Sequence, residues 1–312
     1  MTAYTVETMT RRELRNCYNR YCWAVILLFP LSLLLARVLI QIYVTAASPA
    51  LRSDPIWSVA IPSIINAVSC YVPATALFLV MLRCFPRAEK LPVDHLDQLE
   101  FLQALAFTLG AGFLFNALTL NLIELLQHAT GMETFNRVTA QDALSPIWDQ
   151  VIFSVLLPAV CEELIFRRLL LDRLRPLGDV SAVFLSALAF SLFHSNLYQM
   201  LYVFVLGAFF AMVVLLTGSI RDTILLHICI NGLTTLRYAF PSPWFLVLHS
   251  LLYGVCAVLA VFLFVKKRKQ IRLEPGPLSF SARDKRRACL GSAWFYVMLA
   301  TCFYGSIVVI FR

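Results

Sequence analysis

Nine stretches of about 20 mostly apolar residues follow one another along this chain, and about 20 residues is the length at which an α-helix crosses roughly 30 Å of hydrocarbon. They run from Tyr21 to Val44, Ile56 to Cys84, Leu99 to Gln127, Ile147 to Leu171, Val180 to Asn196, Tyr198 to Thr217, Ile220 to Phe240, Trp244 to Val265 and Ala293 to Phe311. The predicted fold is all-α, a polytopic membrane helix bundle of about eight or nine transmembrane helices. Composition agrees: 60% of residues are hydrophobic, 14% are charged, and the mean hydropathy of +0.77 lies outside the range of soluble domains.

The formal net charge of +8 does not point to nucleic acid, because the basic residues are concentrated between apolar runs. Arg11, Arg12, Arg15 and Arg20 precede the first run, Arg83, Arg87 and Lys90 follow the second, and Arg167, Arg168, Arg173 and Arg175 end the fourth. A further group lies between Lys266 and Gly291. All four fall on one side if the helices alternate, while the opposite connections hold isolated arginines such as Arg52 and Arg137. The expected orientation places the N-terminus in the cytoplasm, with an odd helix count; a bacterial plasma membrane is the expected setting, with an endoplasmic reticulum membrane as the alternative. This parity requires the apolar stretch 180–217 to break at Ser195 to Tyr198. The first apolar run is too long for a signal peptide and lacks a small-residue cleavage site, so it is expected to remain as an anchor. The organisation read from these runs is an N-terminal set of helices with a basic tail (1–146), a core (147–240) and a C-terminal pair of helices with a basic loop (241–312). That loop is expected to be a plain inside-facing anchor, with contact to anionic lipid as the lesser reading. Nine scattered cysteines without CxxC spacing read as reduced core residues.

Chemistry is concentrated in the core. Glu162, Glu163 and Arg167 interrupt the run from Ile147 to Leu171, and ionised groups at membrane depth are costly enough to mark function by default. On a helix, residues four apart share a face, so Glu163 and Arg167 are expected to pair, acid before base. Glu162 points about 100° away and is left to act as a base. Phe190 and His194 repeat the one-turn spacing, as do His227 and Asn231. Each constellation alone has a plain reading: a charged helix end, a packing histidine, or polar glue between helices worth about 0.6 kcal/mol per hydrogen bond. Together, in three apolar helices, they indicate one buried hydrophilic site. Arg37, Glu124, Asp149, Asp222 and His249 lack such company and are read as interfacial or helix-end groups.

The ordered set EExxxR, FxxxH and HxxxN resembles the motifs of the CAAX prenyl endopeptidase and bacteriocin-processing (CPBP, or Abi) family of intramembrane proteases. The resemblance covers about Ile147 to Phe240, with every motif position matched. It implies a glutamate-dependent endopeptidase in which Glu162 and His194 activate water while His227 and Asn231 hold the oxyanion. Glu163 is also a catalytic candidate, with the division of roles between the two glutamates open. Arg167 and Phe190 would support them. No cofactor is expected. A zinc-dependent version remains an alternative, since Glu and His are competent ligands, although Arg167 adds positive charge where a cation would sit. No Ser–Lys or Ser–His nucleophile set accompanies these residues. The expected partners are membrane lipids and a peptide or lipidated protein substrate, with no nucleic acid. The rival class is a non-enzymatic immunity, scaffold or transport protein whose polar site binds a partner or an ion.

Overall fold

The computed structural model describes residues 9–131, 134, 136, 145–269 and 271–310; Arg137 and Phe311 lie outside them. Among the described residues there is no strand, and eleven helices make up the chain. They are α1 (Arg11–Ala46), α2 (Pro49–Ser53), α3 (Trp57–Met81), α4 (Gln98–Thr130), α5 (a continuous helical rod, residues 147–177), α6 (Asp179–Phe193), α7 (Leu197–Thr217), α8 (Arg221–Ala239), α9 (Pro243–Lys267), α10 (Ala282–Leu290) and α11 (Ala293–Ile310). Helices suit a bilayer because they satisfy their own backbone hydrogen bonds where no water can.

Local signals fix where the helices start and stop. Thr10 and Glu13 cap α1 reciprocally, as Asp97 and Glu100 cap α4. Gly131 and Gly218 end α4 and α7 in the left-handed conformation. At Gly218 a side chain is also excluded by space, since a Cβ would lie 2.2 Å from the Pro92 carbonyl oxygen.

All nine apolar segments are helical, but they are not equivalent. Five helices (α1, α3 extended to Cys84, α4, α7 and α9) are long and apolar enough to cross a membrane, or six if the bent pair α10–α11 counts as one span. The stretch 180–217 does break, between Phe193 and Leu197. The resulting α6 has 15 residues, about 22 Å of helix, shorter than the hydrocarbon layer. The turn that follows it is held by Ser191 Oγ donating to the Met200 carbonyl at 2.6 Å and by Asn196 capping Tyr198 N–H. α8 carries Arg221, Asp222 and Arg237 within its 19 residues.

Neighbouring helices pack as α1 with α3, α4 with α7 and α9, and α6 with α7. α4 and α9 touch backbone to backbone at Gly110, where an added Cβ would fall 2.0 Å from the Cys256 carbonyl oxygen. On its other faces α9 exposes Leu248, Leu251, Val255, Val258 and Phe262. So much exposed apolar surface is untenable in water and is what lipid requires of an integral membrane protein. The polar linker expected after α9 is partly built into the fold: Asp179 N–H donates to the Glu274 carbonyl, and Glu274 N–H returns a bond to Asp179 Oδ2, both at 2.9 Å. α10 follows it.

Candidate active site

α5 departs from the α-helix expected of it. Residues Gln150–Leu156 and Glu163–Leu171 wind as π-helix, with an α-helical piece Leu157–Glu162 between them. Pro158 accounts for the first departure: it has no N–H to give to the Ser154 carbonyl four residues back, and its ring crowds that carbonyl. Asn231 Nδ2 of α8 donates to the Ser154 carbonyl at 3.1 Å. One of the two N–H bonds of Asn231 is therefore directed at backbone. The second departure carries the charged residues. Because hydrogen bonds in a π turn reach one residue further than in an α turn, its wider winding brings residues four apart nearer to eclipse. Glu163 Oε1 and Arg167 Nη1 lie 3.2 Å apart with both side chains fully buried.

His227 of α8 stands between the two carboxylates. Its Nδ1 is 3.2 Å from Glu163 Oε1, and its Nε2 is 3.8 Å from Glu162 Oε2. A carboxylate can only accept, so Nδ1 carries the proton in that shorter contact. The second Glu162 oxygen, Oε1, accepts a 3.2 Å hydrogen bond from the Tyr71 hydroxyl of α3. Glu162 Oε2 is buried and has no hydrogen-bond partner. That is uncommon for a buried polar atom and calls for a reason. The charge count is also uneven, with two carboxylates set against one guanidinium.

Phe190 forms the floor of the cluster. The Arg167 guanidinium lies 4.2 Å from its ring centroid and 5.5 Å from that of Phe210, a cation–π arrangement strengthened by burial. The rings of His194 and His227 approach Phe190 at 5.0 and 6.1 Å. His194 Nδ1 is 2.8 Å from the Phe190 carbonyl; since that oxygen only accepts, Nδ1 bears the hydrogen and the neutral ring keeps its lone pair on Nε2. The FxxxH spacing thus sets the tautomer of His194. Among the described residues His194 makes no hydrogen bond or ion pair with Glu162, Glu163 or His227 and joins them through the rings of Phe190 and Phe193. Asn231 is likewise joined through Ser154 of α5. The structure therefore brings Glu162, Glu163, Arg167 and His227 into direct contact and holds His194 and Asn231 beside them.

Three contributors have no motif. Tyr71 and Phe210 resemble many other aromatics in their helices. Gly207 is the sole glycine of α7: its carbonyl accepts from Arg167 Nη2 at 3.4 Å, and a Cβ there would meet Phe190 at 2.9 Å. That single glycine was a readable sign of close helix approach. Among the described residues no three His, Cys, Asp or Glu side chains are arranged to hold a metal ion.

The Tyr71 bond yields a prediction. Hydrogen bonds to charged groups contribute about 1.5–3 kcal/mol, so Tyr71→Phe is expected to slow any reaction that uses Glu162 by about tenfold or more. The variant should keep the unfolding midpoint of the parent protein to within a few degrees; an unchanged turnover rate would remove Tyr71 from the site.

Compared with known proteins, residues 144–233 match the family described as type II CAAX prenyl endopeptidase Rce1-like. No curated protein and no solved structure matches the chain. The matched region contains the Glu162–Glu163 pair, Arg167, Phe190, His194, His227 and Asn231. Residues 144–233 thus match the CAAX protease (CPBP) family that the three motifs resemble.

Proposed function

We propose that the protein is an intramembrane endopeptidase that hydrolyses a peptide bond of a membrane-associated or lipidated substrate with water activated by glutamate and histidine. The observation that carries this reading is the Oε2 atom of Glu162, buried and without a hydrogen-bond partner while the other oxygen of the same carboxylate is held by Tyr71. An unfilled acceptor facing a histidine is what a general base offers to water. In the proposed course Glu162 takes a proton from water as the hydroxide oxygen attacks the scissile carbonyl carbon. The same proton then passes to the leaving amine as the C–N bond breaks. His194, with its lone pair on Nε2, shares the positioning of the water. The tetrahedral oxyanion needs donors aimed at it. His227 supplies one from Nε2 when its ring is protonated, Nδ1 being committed to Glu163, and the second N–H of Asn231 supplies another. Glu163 and Arg167 hold His227 and balance charge.

The same reading puts the N-terminus and the basic connections on the cytoplasmic face of a bacterial plasma membrane, in keeping with the positive-inside rule. Comparing membrane proteomes of cells carrying the parent protein or His194→Ala tests the proposal. An uncut precursor is expected to accumulate with the variant, by tenfold or more if His194 contributes the usual about 10²–10⁴ of acid–base catalysis. Identical proteomes together with full biological complementation would instead support a non-enzymatic role. Cleavage by protein stripped with a strong chelator separates the metal-free course, in which activity persists, from the zinc-dependent one.

A further inference from the structure

Adjoining the cluster, and sharing Arg167 with it, a cavity of about 260 Å³ opens where the ends of three helices meet. Its walls are the connection after α3, the last turns of α5 and the turn between α7 and α8. The lining includes Arg87 and Lys90 from the first, Arg168, Arg173 and Arg175 from the second, and Gly218 and Ile220 from the third. The walls are fastened to each other. Asp94 N–H donates to the Thr217 carbonyl at 2.7 Å, Arg175 Nη1 donates to the Glu89 carbonyl at 2.7 Å, and Leu96 N–H donates to Asp222 Oδ2 at 3.3 Å. Gly218 allows Pro92 to close against it. The connection after α3, which contains Pro86 and Pro92, is thus held as one wall of a formed cavity.

The charge in this cavity is not compensated. Two acids, Glu89 and Asp172, stand among six cations, the sixth being Arg167, which is already paired with Glu163. Asp172 is shared between Arg168 at 3.5 Å and Arg175 at 3.8 Å. Burial holds its carboxyl above the usual carboxylate range, against the pull of the neighbouring arginines. Among the described residues the side chains of Arg87, Lys90 and Arg173 make no ion pair or hydrogen bond, Arg173 only pulling at longer range on Asp172. Three like charges kept together around one space repel each other, and a bound anion removes that repulsion.

We infer that this cavity binds a phosphate group, and that the source is the headgroup of an anionic phospholipid. Guanidinium forks match phosphate oxygens in pairs, and lysine adds a point charge. The volume lies below the roughly 300–1,000 Å³ of pockets that enclose drug-sized ligands, which suits a small headgroup. Its place supports a lipid source: the cationic lining on α5 runs from Arg167 to Arg175, across the point at Leu171 where the apolar run of that helix ends. Basic pockets between membrane helices commonly take such headgroups. Because α5 also carries Glu162 and Glu163, an occupied cavity would clamp the end of the helix that holds the two glutamates. The inference does not depend on the proposed reaction.

Native mass spectrometry and thermal unfolding of the full-length protein in detergent test it, with short-chain phosphatidylglycerol, phosphatidylcholine of equal chain length, and inorganic phosphate as probes. Phosphatidylglycerol is expected to be retained and to raise the unfolding midpoint, whereas phosphatidylcholine is not. The Arg87→Gln/Lys90→Gln/Arg173→Gln variant should bind phosphatidylglycerol about tenfold more weakly or worse, since each basic residue near anionic lipid is worth about a fivefold factor. The control Arg52→Gln, at an exposed position on the opposite connections, should change binding less than twofold. If the triple variant unfolds early without lipid, Lys90→Gln alone, an exposed position, carries the comparison. Displacement of the lipid by inorganic phosphate would assign recognition to the phosphate alone, and failure to displace it would assign the site to the lipid. Equal retention of the two lipids by the parent protein, or unchanged binding in both cavity variants, overturns the inference.

Discussion

Glu162→Gln is expected to lower the rate of peptide hydrolysis by about a hundredfold to ten-thousandfold, the range of general acid–base catalysis, while leaving the fold intact. Glutamine has nearly the size of glutamate, and its amide oxygen still accepts from the Tyr71 hydroxyl, so the 3.2 Å link to α3 survives. What is lost is the ability of the second oxygen to accept a proton from water. The ion pair of Glu163 with Arg167 is untouched, and so is the contact of Glu163 with His227. Steady-state cleavage of a membrane substrate, measured beside the unfolding midpoint, checks both halves. Full activity in this variant would remove Glu162 from the role of base and pass it to Glu163 or His194. Lost activity with a collapsed midpoint would make the residue structural.

The second large effect concerns stability. Arg167→Met is expected to cost about 3–5 kcal/mol, because breaking a buried pair leaves the remaining charge uncompensated. The local losses are specific: the 3.2 Å pair with Glu163, the bond to the Gly207 carbonyl and the stacking on Phe190 all disappear. The double variant Glu163→Gln/Arg167→Met should recover most of that loss. A buried ion pair replaced as a whole by neutral groups of similar volume is often neutral or even stabilising. His227 Nδ1 would still find an acceptor in the glutamine amide oxygen. Unfolding of the parent, the two single variants and the double variant forms a cycle that isolates the pair. If the double variant is no more stable than Arg167→Met alone, then packing of the arginine, rather than its charge, holds this part of the core.

These expectations rest on features that the sequence displays to unequal degrees. The apolar runs are visible because hydrocarbon thickness imposes a length, and the break between α6 and α7 is visible because Ser195 and Asn196 interrupt one of them. The Glu163–Arg167 pair is visible because neighbours on one helix follow from spacing alone. Three things are not visible. The π winding of α5 depends on what surrounds Pro158 and the buried charges as much as on the residues that wind. Tyr71 is one tyrosine in an apolar helix until α3 is known to lie against α5. The cavity near Arg168 requires three helix ends to converge, and spacing within one helix says nothing about which ends meet. Local periodicity is written in the chain, whereas helix adjacency arises from packing across the whole bundle.

Tyr71 lies 91 residues ahead of Glu162 in the chain and outside the family-matched region. α3 supports that region at two further points, Phe78 against Phe166 at 5.9 Å and Tyr71 against Phe193 at 6.1 Å between ring centroids. Residues 144–233 are therefore not a portable cassette. A chimera that transplants them into a foreign set of helices would carry every motif residue yet leave the Glu162 carboxylate without its tether, unless α3 travels with them.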